Sequence, residues 1–366
     1  MKRRKFLQAT MAAPLVTVMP AAVRDAVAAQ AGDGWRTFEI VTKVEIANPS
    51  GVSRAWVPLP YTAKTDWHNP MGNKWSGNAA QMKVVTDGKY GAEMVYAEWN
   101  PGEKAPVVEV TSRFATRDRA VDFSRANANA PKLSASEVAL ETAATDLIPT
   151  DGIVRDTALD IIHGAKTDVE KARAIYEWIV DNTFRDPKVR GCGWGDIKAM
   201  LETRNFGGKC GDLNAMFVGL ARSVGIPARD VYGVRVAPSQ LGYKSLGLGS
   251  AIASKGQHCR AEFFAQGIGW VPVDPADVRK VVLEEPPGNI SINDPKVVAA
   301  RKRLFGGWEM NWLAYNTAHD VKLLNSAGST KIPYLMYTNG ETGGKALDQL
   351  DPDVFKYTIT ATEINA

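Results

Sequence analysis

Residues 204–236 read "RNFGGKCGDLNAMFVGLARSVGIPARDVYGVRV". From Cys210 onward, Leu213, Phe217, Leu220 and Ala221 fall on one face at helical spacing, which predicts a helix. Gly207 and Gly208 permit a tight turn into it. Gly225 suits its C-terminal cap, and Pro227 prevents continuation. The segment that follows reads as a strand. Cys210 therefore belongs in the first helical turn, where free N–H groups and the helix dipole stabilise an anion and lower a thiol pKa. The same N–H groups can hold an oxyanion on an attacked carbonyl. A small buried cysteine would also fit this position, so the chemistry requires a partner.

A thiolate nucleophile needs a base, and the base needs an orienting group. The chain has four histidines, His68, His163, His258 and His319. His258 opens "HCRAEFFAQGIGWVPVDPADV", residues 258–278, in which two short strands flank a glycine-containing turn. A turn centred on Gln266 sets His258 opposite Asp274. Directly opposed Cβ atoms lie about 4.5–5.5 Å apart, within reach of a carboxylate holding an imidazole. Cys259, the next residue, should face the other side and enter the core. Asp274 precedes Pro275, so a plain turn dipeptide is the competing reading.

These two segments, 48 residues apart from Cys210 to His258, resemble the transglutaminase-like superfamily of papain-like thiol enzymes. "GGKCGDLNAMFVGLARSVGIPAR" is similar to its nucleophile segment. "HCRAEFFAQGIGWVPVDPADV" is similar to its histidine strand, aromatic return strand and Trp-x-x-x-Asp-Pro ending. The resemblance implies a Cys210 nucleophile, a His258 base and an Asp274 orienting acid. It also implies an oxyanion donor upstream of the nucleophile, for which Trp194 in "GCGWGD" is the candidate; a packing role fits that tryptophan equally. Gly211 departs from the aromatic or polar residue that often follows the family's cysteine. Asp212, two residues past Cys210, is expected to cap the first turn and face water.

The rest of the chain frames this core. Residues 1–29 carry Lys2, Arg3, Arg4 and Lys5, a mildly apolar stretch and the small residues of "AVAAQA". They resemble a twin-arginine export signal. Taking that segment's five basic and one acidic residues from totals of 44 and 40 leaves 39 of each. A neutral remainder offers no electrostatic case for nucleic acid. No segment is apolar enough for a stable membrane anchor. Export to the periplasm is the expected localisation. The odd count of three cysteines, Cys192, Cys210 and Cys259, leaves at least one free or paired between chains, and one intramolecular option joins Cys192 to Cys259.

Residues 33–125 carry short β-branched and aromatic runs punctuated by Gly, Pro, Asn and Asp, the pattern of an antiparallel β-sandwich. Residues 126–150 read as a linker, 151–282 as the catalytic core, and 283–366 as a C-terminal extension packing on it. The fold expected is α+β, an N-terminal β-sandwich followed by a papain-like or transglutaminase-like core with its nucleophile helix on an antiparallel sheet. Asp168 is read as the N-cap of a helix over 168–184. The Gly- and Ser-rich stretch 240–257 is read as a lid, a substrate wall or a plain connector. Trp308, Trp312 and Tyr315 fall at helical spacing and read as a core stripe or an aromatic wall.

No Cys/His pairs stand at metal-ligand spacing and no phosphate-binding loop occurs, so neither metal nor nucleotide cofactor is expected. The implied activity is thiol-dependent acyl transfer on peptide or protein amides, including cell-envelope peptides, to water or to an amine. The alternative is a noncatalytic periplasmic binding or assembly protein.

Overall fold

The computed structural model describes residues 34–127, 129–328, 331–352 and 355–364. The expected export segment, 1–29, lies outside the described residues. The protein is an α+β chain built on antiparallel sheets.

Six N-terminal strands form the expected sandwich: β1 (Arg36–Glu45), β2 (Ser53–Pro58), β3 (His68–Gly77), β4 (Gln81–Thr86), β5 (Glu93–Trp99) and β6 (Val107–Thr116). In β1, burial alternates, with Phe38, Ile40, Thr42 and Val44 inward, as the two-residue period of a strand requires. Their partners on the inner faces include Val57, Val95, Val108 and Phe114. Both sheets are completed from the far end of the chain. β13 (Tyr357–Glu363) pairs antiparallel with β1, and β11 (Asn339–Thr342) with β2. β11 also pairs with the short β12 (Lys345–Ala346).

A further sheet, outside the sandwich, runs in the order β9 (Gly269–Val273), β8 (Gln257–Ala265), β7 (Ala228–Arg235), β10 (Trp312–Asn316). Around it lie the helices α1 (Ala135–Thr142), α2 (Gly152–Ile161), α3 (Asp168–Asn182), α4 (Ile197–Thr203), α5 (Cys210–Ser223), α6 (Pro275–Glu284) and α7 (Pro295–Arg303). α5 is buried along its whole length, and its Leu213, Phe217 and Leu220 share a core with Tyr176 of α3 and Phe263 of β8. Gly219 permits that packing, because a Cβ there would lie 2.1 Å from Ile197 Cδ1. The helix ends where Gly225 adopts φ +82°, the left-handed C-terminal cap expected of glycine.

Three local expectations are corrected. α3 is capped by Thr167, whose Oγ1 accepts the Glu170 N–H while Glu170 accepts the Thr167 N–H in return; this reciprocal pair displaces Asp168 from the cap position. Trp308 and Trp312 lie on strands, Trp308 paired with Arg119 and Trp312 with Arg235 of β7. Aromatic residues favour a half-buried pleated surface, and pairing with β7 overrides a helical spacing that has no cap. The β8–β9 hairpin turns around Gly267, not Gln266: Ala265 pairs with Gly269 and Ala261 with Val273. The three-residue turn needs a residue in the left-handed region, and Gly267 supplies it at φ +88°.

Candidate active site

Cys210 is the first residue of α5 and is 3% exposed. The turn before it is shaped by Asp212. Its carboxylate accepts the N–H of Lys209 at 2.9 Å, of Trp194 at 3.0 Å and of Gly195 at 2.9 Å. Asp212 thus caps the helix as expected, but it is buried and does not face water. It clamps the 191–195 loop against the first turn of α5. A Cβ on Gly193 would sit 1.8 Å from Asp212 Oδ2, so only glycine tolerates this approach. The Gly211 N–H completes the clamp by donating to Cys192 O at 2.7 Å.

His258 lies on β8 and is 4% exposed. With the hairpin register shifted, Asp274 falls just past the end of β9 and caps α6, its Oδ1 accepting the Asp277 N–H at 3.0 Å. Its other oxygen, Oδ2, still meets His258 Nε2 at 2.7 Å. The expected pair forms, through a helix cap and not through cross-strand opposition. Asn214 of α5 steadies the same carboxylate, donating to Oδ1 at 3.3 Å.

Asp277, which the sequence reading missed, also reaches His258 Nε2 at 3.3 Å. It accepts both of its stronger bonds from Arg235 Nη2, at 2.6 and 2.8 Å. The only sequence signal for it was its place one turn past Asp274, at i+3 on α6. Burial alone would lower the His258 pKa, but Asp277 and Asp274 overcome this and raise it to about 9. Burial raises the Asp277 carboxyl, yet Arg235 and His258 bring it well below the usual carboxylate range. Asp274 is raised by burial and by the neighbouring Asp277.

With Nε2 held by two carboxylates, Nδ1 is the ring nitrogen left for the thiol. The Cys210 thiol is held well below its ordinary range by hydrogen bonds from the Cys192 and Cys259 thiols and from His258, against the upward pull of burial. The two shifts together favour a thiolate–imidazolium pair. Among the described residues no hydrogen bond takes up the Cys210 N–H, so it is open to a carbonyl oxygen.

Cys210 and His258 open into a cleft of about 490 Å³. Gly247, Leu248 and Ser254–Gln257 of the 240–257 stretch form part of its wall. Among the described residues the cations Arg185, Arg190, Lys209, Arg235, Lys255 and Lys280 line it, together with the carboxylate of Asp351. Of these, Arg235 is paired with Asp277, Arg185 and Lys280 with Glu284, and Arg190 with Asp348. Lys209 makes no ion pair among the described residues.

Trp194 does not line this cleft; its backbone N–H is committed to Asp212 and its side chain stands in a residue 55% exposed. Gln257 does line it; its buried Nε2 makes no well-formed hydrogen bond among the described residues and stands near the Tyr357 hydroxyl. The carboxylates of Asp274 and Asp277 and the His258 ring lie close enough to share a cation, their ligand atoms within 4.8 Å of one another. Their charge is already met by Arg235 and by the imidazolium. The sulfurs of Cys192, Cys210 and Cys259 form a second such group, also within 4.8 Å, and all three thiols are free.

The family description that matches residues 155–275 is the transglutaminase-like superfamily. An uncharacterized protein of Haemophilus influenzae is 37% identical over 341 residues, 90% of this chain and 90% of that one. The crystal structure of a candidate cysteine protease from Cytophaga hutchinsonii superposes with a TM-score of 0.54 at 11% identity, covering 91% of this chain and 92% of that one. At that identity the likeness is one of fold. The periplasmic domain of TgpA from Pseudomonas aeruginosa is 14% identical with a TM-score of 0.34, over 74% of this chain and 93% of that one, too slight a likeness to build on. The chain belongs to the transglutaminase-like superfamily.

Proposed function

We propose that this protein is an exported thiol enzyme that transfers acyl groups from peptide or protein amides through a thioester on Cys210. The observation that carries this reading is the Cys210–His258–Asp274 set, with Cys210 at a helix N-terminus, Asp274 buried behind His258, and Cys210 and His258 open to one cleft. The thiolate attacks the amide carbonyl. The Cys210 N–H receives the developing oxyanion, and Gln257 Nε2, in place of Trp194, supplies the second donor. The His258 imidazolium protonates the leaving amine. Asp274 fixes the ring, and Asp277 together with Asp274 keeps it charged. Water or an amine then takes the acyl group, giving hydrolysis or transamidation.

The cationic lining favours acyl donors carrying carboxylates near the scissile bond, which suits acidic peptides of the cell envelope. Residues 1–29 supply the export route in this reading, with the periplasm as the place of action. No helix among the described residues is long and apolar enough to cross a membrane.

Brief iodoacetamide treatment at pH 6, read by intact mass, tests the proposal. Rapid single labelling at Cys210, slowed in His258→Ala, is the expected result. Labelling no faster than a free thiol would favour a noncatalytic binding protein. On active protein, incorporation of an added amine into the product separates transfer from hydrolysis.

A further inference from the structure

Three buried thiols meet at one point, and the acyl-transfer reading uses one of them. The sulfurs of Cys192 and Cys259 lie within 4.8 Å of the Cys210 sulfur and of each other. Their surroundings differ. Cys259 is 0% exposed on β8, its thiol against Met336 Sδ at 3.7 Å, and it does not line the cleft. Cys192 lines the cleft beside Cys210, its sulfur 3.3 Å from Gln257 O. Its backbone is tied to the turn of Cys210, because Cys192 O accepts the Gly211 N–H at 2.7 Å.

We propose that Cys192 and Cys210 form a thiol–disulfide exchange site, at which a low-molecular-weight disulfide entering the cleft oxidises the pair to an intramolecular disulfide and reversibly silences the nucleophile. The proposal rests on the reading of Cys210 as a reactive thiolate.

The geometry favours this pair. A disulfide needs the sulfurs at about 2.0 Å, so they must close from a separation already under 4.8 Å. Cys192 sits between Gly191 at φ +58° and Gly193 at φ +87°, in the 191–195 loop that Asp212 holds against the first turn of α5, so the two sulfurs stay adjacent. The anchoring bond to Gly211 keeps the two backbones together while the side chains turn.

The exchange balances. The Cys210 thiolate attacks one sulfur of the small disulfide, forming a mixed disulfide and expelling a first thiolate, which takes the Cys192 proton. The Cys192 sulfur then attacks the Cys210 sulfur and expels the second thiolate, which is protonated by the His258 imidazolium. Two protein sulfurs lose two electrons, and the small disulfide gains two electrons and two protons.

The protonation states agree with this order of events. Cys192 is raised by its hydrogen bond to the Cys210 thiolate, so one ionised sulfur stands beside one neutral thiol. Cys259 is raised well above its ordinary range by burial.

The test treats the signal-free protein with oxidised glutathione and reads intact mass and a nonreducing peptide map. The expected product has lost two hydrogens, carries no glutathione and yields a Cys192–Cys210 cross-linked peptide, with iodoacetamide labelling of Cys210 abolished and restored by dithiothreitol. Cys192→Ser should stop at the glutathione adduct on Cys210, whereas Cys259→Ser should still form the cross-link. A wild-type protein that retains the adduct, or that links Cys210 to Cys259, overturns the proposal. If reduced Cys210 still labels rapidly at pH 6 in that case, the acyl-transfer reading survives. If Cys210 reacts with neither reagent, both readings fall.

Discussion

Replacing Cys210 by Ser should change the pH dependence of stability without a comparable change in packing. In the wild-type protein between about pH 6.5 and 8.5, the folded site holds one proton, on His258, with Cys210 ionised. The unfolded chain over the same range also holds one, on the cysteine, because an unperturbed histidine titrates near 6.5 and a cysteine near 8.5. With equal proton counts, the pair contributes almost no slope to stability. In Cys210→Ser the unfolded chain holds none, while His258 keeps its proton through Asp277 and Asp274 up to about pH 9. A folded pKa raised above the unfolded one gives stability that is full below about 6.5 and lost as pH rises toward 9. The loss is about 1.4 kcal/mol per pH unit, or about 3 kcal/mol over the window. Urea denaturation of both proteins at pH 6, 7, 8 and 9 measures this, and the difference between them cancels groups common to both. Parallel curves for the two proteins would refute the thiolate–imidazolium pair.

Two further perturbations follow from buried polar groups. Asp230 is fully buried, both carboxylate oxygens lack a hydrogen-bond partner among the described residues, and His319 Nε2 lies 3.5 Å from Oδ2. Burial raises its pKa to about 7, so the acid is neutral in mildly acidic solution and its stability contribution is lost as pH rises from about 4 toward 7. Asp230→Asn should therefore raise the melting temperature at pH 8 and raise it by much less at pH 5, as thermal scans would show; a loss at pH 8 would mean the carboxylate has a partner. Gln257→Ala should lower kcat by about 10²–10³-fold, as removal of an oxyanion donor does, while Cys210 alkylation at pH 6 stays fast. A fall in alkylation together with kcat would assign Gln257 to thiol positioning instead.

The sequence by itself determined the parts whose physics is local. The nucleophile helix was legible because its glycines, apolar face and Gly-Ile-Pro stop act within a few residues. The sandwich strands were legible because strand burial alternates along the chain. The pairing of His258 with Asp274 was legible, although for an incomplete reason: the hairpin was expected to oppose them, and a turn one residue later made Asp274 a helix cap that still reaches the ring.

Tertiary structure decided what depends on residues distant in the chain. That strands from 339–363 complete the N-terminal sheets has no local signature, since edge pairing is chosen by whichever strand buries the open ladder. Trp308 and Trp312 looked helical by spacing, and pairing with Arg119 and β7 made them strands. Asp212 turned inward because the 191–195 loop offers it two N–H groups. Asp277 joined His258 because Arg235, 42 residues earlier, compensates its charge. The meeting of Cys192, Cys210 and Cys259 belongs to the same class. Three cysteines on a loop, a helix and a strand carry no shared spacing, and only the packing of α5 against β8 and of the 191–195 loop against α5 brings their sulfurs together.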